Sequence, residues 1–243
     1  MSHMSLRSRQ EFRAKPPGRR HWRRWALGSV LALVVLAVVA AIAAFKLTPG
    51  AAPLALPASA AAAPAGQLDG TWQVTPGSVV GFRVRESILG IGNDVTGRTG
   101  GVTGTVVVTG AEISRATFRV SLDAITVDGK ARQPQLVESL GTAAHPVATV
   151  TLAGPVPLPA GFSVGGTVTR TAMAALTLNG ITRPVTVTLS ARRDGMTIEA
   201  AGSLPVTFAD FSIKGPPGYG FFGSLANNGT AEFLLILSPA AAA

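Results

Sequence analysis

Nucleophilic catalysis of the Ser-His-Asp type needs a base held between a nucleophile and an orienting acid. Residues 68–243 offer a single histidine, His145, which precedes Pro146 at the start of an extended run and so reads as structural. A metal centre needs several His, Cys or carboxylate groups converging on one point. Asp123 and Asp128 flank a loop, and two carboxylates in turns read as solvated residues. Gly97-Arg98-Thr99-Gly100-Gly101 superficially resembles a phosphate-binding loop. It lacks the Lys-Ser/Thr ending and the helix that must follow, which excludes it. The sequence holds no cysteine, so disulfides, thiolate metal sites and a cysteine nucleophile are also excluded. Neither enzymatic activity nor a cofactor or metal is expected.

What the chain has in quantity is apolar, β-prone sequence. Val and Thr suit a pleated, half-buried surface, and the 28 glycines and 17 prolines supply turns. The formal charge of +9 divides unevenly. Residues 1–67 carry nine basic side chains against Glu11, and the rest of the chain is close to neutral. A basic domain face, the footprint of nucleic-acid binding, is therefore not expected.

Taken in order, residues 1–24 read as a basic tail, cytoplasmic by the positive-inside rule. Residues 25–45 carry no charge, and roughly 20 apolar residues suffice to cross a bilayer as a helix. Residues 25–47 are expected to form a transmembrane signal anchor, with a long cleaved signal peptide as the alternative. Either way the following domain is expected outside the cytoplasm: at the cell membrane as a single-pass protein, or secreted after cleavage. Residues 48–67, almost entirely Ala and Pro, read as a semi-extended linker. Residues 68–238 form the domain, and 239–243 a short tail.

Within the domain, alternation of apolar and polar residues marks strands. Val80, Phe82 and Val84 share one face of a run; Phe118, Val120 and Leu122 share another, as do Leu176 and Leu178, then Val185, Val187 and Leu189. Asn179-Gly180 and Asp194-Gly195 are hairpin turns. The glycine-rich passage 90–101 reads as a flexible, turn-rich stretch, and 133–140 as the one helix. About eight or nine short strands suggest a sandwich or an up-and-down barrel. The apolar last strand, near Ala231 to Leu237, favours closure, which leaves no exposed edge. An eight-stranded barrel is just wide enough to be filled by side chains or to hold one small ligand. Small inward residues leave room, although a filled core belonging to a structural or interaction module fits the same pattern.

The run Leu176-Thr177-Leu178-Asn179-Gly180-Ile181-Thr182-Arg183-Pro184-Val185 resembles the signature of the YceI family. Ser78 and Phe82 match that family's opening motif, with Gly77 where it has His. Arg132 and Leu136 match its helix motif, with Gln133 and Gln135 at its Asp and His. His145-Pro146-Val147-Ala148-Thr149-Val150 and Asp210-Phe211-Ser212-Ile213 resemble later motifs in the right order, with Phe208 where Arg is common. The resemblance implies a mainly β fold: an antiparallel lipocalin-like β-barrel of about eight strands with one short helix, here preceded by the transmembrane helix. It also implies non-catalytic binding of a long-chain lipid (a polyisoprenoid, a quinone-like chain or a fatty amide) in the barrel interior. The cavity candidates are then the inward-alternating Val80, Phe82, Val84, Phe118, Val120, Leu122, Leu176, Leu178, Val185, Val187 and Leu189. Arg132 and Arg183 are candidate head-group contacts. The expected partners are the lipid and, through residues 25–47, the membrane, with pairing into a homodimer left open.

Overall fold

The computed structural model describes residues 33, 36–40, 50–58, 68–88, 90–127, 138–214 and 223–241. The chain divides into two units, Met1–Thr48 and Pro49–Ala243. The second is built of antiparallel strands: β1 (Gly70–Val74), β2 (Val79–Ile88), β3 (Ile91–Thr99), β4 (Val102–Thr109), β5 (Glu112–Ser121), β6 (Thr126–Val127), β7 (Val147–Leu152), β8 (Val156–Pro157), β9 (Val168–Leu178), β10 (Ile181–Asp194), β11 (Thr197–Thr207), β12 (Gly223–Leu225) and β13 (Asn228–Pro239).

Eight of them close a ring in the order β1-β4-β5-β7-β9-β10-β11-β13, with β13 returning to β1. Closure rests on β13. Its last residues pair with β1 (Val74↔Leu237, Trp72↔Pro239), and its first half pairs with β2 (Val80↔Phe233, Arg83↔Thr230). With β11 along its opposite edge, the apolar final strand is paired on both sides. Beyond the ring, β2 continues outward with β3, β6 and β12.

The β9–β10 hairpin turns on two residues with positive φ, Asn179 (50°) and Gly180 (73°), and pairing resumes at once with Ile181↔Leu178. Two consecutive positive φ values match the right-handed twist of the flanking strands, and Asn-Gly adopts them most readily. The Asn179 side-chain amide donates to the Phe211 carbonyl (3.1 Å), which ties the turn to a short 3-10 helix, Phe208–Phe211. A second 3-10 helix, Ala160–Val164, carries Phe162. Phe162 and Phe211 are almost fully buried, and they pack into two separate apolar clusters. The Phe162 cluster holds Ala191 near one end of β10, and the Phe211 cluster holds Val187 with Val185 and Ile181 toward the other.

The passage 90–101, read from its glycines as turn-rich, is instead mostly the strand β3. It pairs with β2 residue for residue from Ile88↔Ile91 to Val80↔Thr99. Gly97 lies directly opposite Phe82, and the ring occupies the place a β-carbon would take. The arrangement recurs at Gly104 opposite Phe118 and Gly202 opposite Phe233. An aromatic ring laid over a cross-strand glycine covers the backbone and supplies the packing that glycine lacks.

The apolar run 25–47 predicts a membrane-spanning helix, but among the described residues no helix is long and apolar enough to cross a membrane. Residues 33 and 36–40 are helical, and the remainder of 25–47 lies outside the described residues. Hydropathy registers the absence of charge, whereas a span also needs about 20 consecutive helical residues. The transmembrane helix in the expected fold class is therefore corrected, and with it the signal anchor, the membrane as partner and the single-pass membrane localisation. The fold is an eight-stranded antiparallel barrel with extra strands and short helices. The basic tail 1–24 lies outside the described residues, as do 59–67 of the linker and 128–137, which include Arg132 and most of the expected helix; 138–140 are helical.

Residues 50–54, the start of the Ala/Pro-rich stretch, are bonded to the outside of the barrel. The Ala51 amide donates to Thr96 Oγ1 (3.1 Å), and the Leu54 amide donates to Glu232 Oε2 (2.7 Å). Arg83 Nη2 donates to the Ala51 carbonyl (2.5 Å) and Arg98 Nη2 to that of Ala52 (3.3 Å). Glu232, on β13, is the hub: it also accepts from Arg83 Nε (2.9 Å) and Arg98 Nη2 (3.1 Å). Its carboxylate is nearly inaccessible to solvent (4%), so each of these bonds satisfies charge that water cannot reach. A second buried pair, Arg192–Glu199 (2.8 Å), joins directly opposed residues of β10 and β11.

Two outcomes are expected. Asn179→Ala keeps the strained positive φ and loses the bond to Phe211, so thermal or urea unfolding should show a loss of about 1–2 kcal/mol. Glu232→Ala removes the buried carboxylate shared by Arg83, Arg98 and the Leu54 amide, and should cost about 3 kcal/mol. In hydrogen exchange, the amides of Ala51 and Leu54 should lose protection first, while β9–β10 stays protected.

Candidate functional site

The ring encloses an apolar cavity of ≈ 170 Å³. Its wall follows from the period-two alternation of the strands. β9 contributes Val168, Arg170, Ala172 and Ala174, and β10 contributes Val187, Leu189 and Ala191. On β5 the alternation is interrupted: the β4–β5 register shifts between Val107 and Val108, and this bulge brings both Ile113 and Ala116 to the lumen. Val102, Val106 and Val108 of β4, Ile198 and Ala200 of β11, and Phe233, Leu235 and Leu237 of β13 complete much of the circumference.

Two features keep this interior from filling. Alanines stand at 116, 172, 174, 191 and 200 around the wall, each too short to reach the axis. Two of the three lining rings, Phe118 and Phe233, lie across Gly104 and Gly202 of neighbouring strands and so pack along the wall. Apart from Arg170, every lining residue among those described is apolar. An apolar cavity of about 150 Å³ stays dry and takes up small apolar molecules, because water there would forfeit its hydrogen bonds.

Of the residues singled out from the sequence, Val80, Phe118, Val120, Val187 and Leu189 line the cavity. Phe82 and Leu122 pack instead with Ile125 and Ala148 in a separate cluster. Val84 is buried on the outward-running part of β2. Leu176 belongs to the Phe211 cluster, and Leu178 and Val185 pack against it. Arg183 is exposed, with its Nη1 3.5 Å from the carbonyl of its neighbour Thr182. Arg170 was not singled out. Its signal was its place in the alternating series Val168, Arg170, Ala172, Ala174, where a charge interrupts an otherwise apolar face.

His145 is exposed, with its ring against the turn at Gly180. Among the described residues no group of three or more His, Cys, Asp or Glu could hold a metal ion. Binding, with an apolar closed ring as the instrument, is the chemistry this arrangement supports.

A closed antiparallel ring around an apolar lumen defines a small-ligand-binding β-barrel. The chain belongs to the YceI-like domain family, whose model matches residues 72–233, and as a member it is a non-catalytic binding domain. No curated protein is significantly similar to it in sequence. Among solved structures it is similar to a polyisoprenoid binding domain from Saccharophagus degradans implicated in plant cell wall breakdown, with 19% identity over 70% of this chain and 99% of that one and a TM-score of 0.52. It is also similar to BcnA of Burkholderia cenocepacia, with 17% identity over 67% of this chain and 98% of that one and a TM-score of 0.50. At these identities the likeness is one of fold.

Filling the lumen should separate binding from folding. Val120→Trp places a large ring where the wall is now short. Displacing the equivalent of two methylene groups of ligand costs about 1.6 kcal/mol, or roughly fifteen-fold in affinity. Titration with an environment-sensitive apolar dye should show that loss while unfolding stays cooperative. Unchanged dye binding would place the occupied space elsewhere.

Proposed function

We propose that this domain binds a long-chain lipid, with the chain of a polyisoprenoid, a quinone-like molecule or a fatty amide lying along the lumen. The observation that carries the reading is the apolar, alanine-walled cavity inside a closed ring. A folded protein loses packing by keeping such a space, and an apolar chain would restore it. Affinity would come from buried surface, at about 0.8 kcal/mol per methylene group. An apolar wall measures length and girth and carries little head-group information, so selectivity among chains would follow cavity shape. The Saccharophagus domain's description as polyisoprenoid binding supports this class of ligand.

The test is direct. The protein, purified from its native host without detergent and extracted with organic solvent, should release a long-chain lipid in about equimolar amount by mass spectrometry. Val120→Trp should release much less. A protein that comes out empty, and takes up no long-chain lipid from vesicles, would overturn the reading.

A further inference from the structure

The ring is not hydrogen-bonded throughout. β7 pairs with β9 from Thr149↔Thr177 to Leu152↔Ala174, and the Ala153 amide adds one more bond, to Met173 (3.0 Å). There the ladder ends. β5 takes β8 as its next partner (Ile113↔Val156, Glu112↔Pro157). Residues Val168 to Ala172 of β9 therefore keep β10 on one side and, among the described residues, have no strand on the other. The cavity reaches this break, where its lining includes Leu152, Val156, Phe162 and Ala172.

Arg170 stands in the middle of the unpaired stretch. It lines the cavity and is paired across the ladder with Leu189, another lining residue. Yet it is exposed, so this part of the wall meets solvent. Its Nη1 donates to the Thr169 carbonyl (3.0 Å), and among the described residues it forms no ion pair. The other arginines whose ion pairs are described, Arg83, Arg85, Arg98 and Arg192, each face Asp94, Glu232 or Glu199. A guanidinium at the lip of an apolar lumen offers planar N–H donors suited to a carboxylate or phosphate oxygen.

We propose that the break between β8 and the start of β9 is a side opening at which Arg170 binds the oxyanion head group of an amphiphile whose chain occupies the lumen. This rests on the lipid-binding reading and adds orientation and charge selectivity to it. The shared chemistry is an anionic oxygen, whether from a fatty carboxylate or a phosphate monoester.

Dodecanoate, dodecyl phosphate and dodecanol share one chain and differ only at the head. Displacement of an apolar dye from the wild-type protein at low salt should rank at least one anion on the order of tenfold above the alcohol. Added salt should narrow the gap. Arg170→Gln should abolish it and leave dodecanol affinity within about twofold, Arg170→Lys should restore part of it, and the exposed control Arg183→Gln should leave it intact. Which anion gains shows whether carboxylate or phosphate is the better fit. Equal binding of all three by the wild type, or a preference that survives Arg170→Gln, would overturn the role of Arg170 and leave lipid binding standing. Failure of all three to bind would overturn both readings.

Discussion

Closure of eight strands is the constraint on which everything else depends. Once β13 has bonded to both β11 and β1, the circumference is fixed by strand number and tilt, and side chains can no longer draw the walls together. An open sheet facing another sheet would have collapsed onto the alanines at 116, 172, 174, 191 and 200. A closed one cannot, so the missing side-chain volume remains as a lumen of ≈ 170 Å³. Tightly packed interiors are the rule. The departure here comes from small residues placed on a rigid ring.

The ring also dictates where charge goes. Outward positions on adjacent strands lie side by side, so Arg192 and Glu199 meet across β10–β11. Arg83 and Arg98, on β2 and β3, converge on Glu232 of β13. These groups would be costly to bury singly, yet together they neutralise one another and still offer bonds to the backbone of residues 51–54. A stretch whose Ala/Pro composition reads as a simple spacer thus begins as part of the barrel surface. Composition could not reveal this, because the specificity lies in main-chain amides and carbonyls that every residue type carries.

What was legible in the sequence was what repeats with period two. The pattern marked β4, β5, β7 and β9–β11 as strands, with apolar faces read on β5, β9 and β10, and Asn179-Gly180 marked the hairpin. β3 was hidden because its glycines normally punctuate chains; their use opposite Phe82 is a long-range fact that local propensity does not contain. The site shows the same limit. Alternation tells which face a residue is on, not how far along the barrel axis it lies. Val187 and Leu189 therefore reach the cavity, while Val185, one step further along the same face of β10, joins the cluster around Phe211. On β2 the face is shared by Val80, which lines the cavity, and by Phe82 and Val84, which do not. The resemblance carried by 176–185 was the strongest local signal, and it pointed to the family better than to the cavity wall.

An apolar lumen provides affinity without direction: a chain gains the same burial entering either way round. Direction has to come from asymmetry in the wall, and the ring is least symmetrical where β7 stops short of the start of β9. Main-chain groups there have lost a strand partner, a cost that a fully laddered barrel would avoid. The same missing bonds let water reach one side of the lumen, and at that side the alternating series on β9 places Arg170 in line with Ala172 and Ala174. A charge at this position in a complete ladder would be sealed inside an apolar cavity and would carry a large desolvation penalty. The break is what makes Arg170 tolerable, and Arg170 is what gives the break a chemical preference.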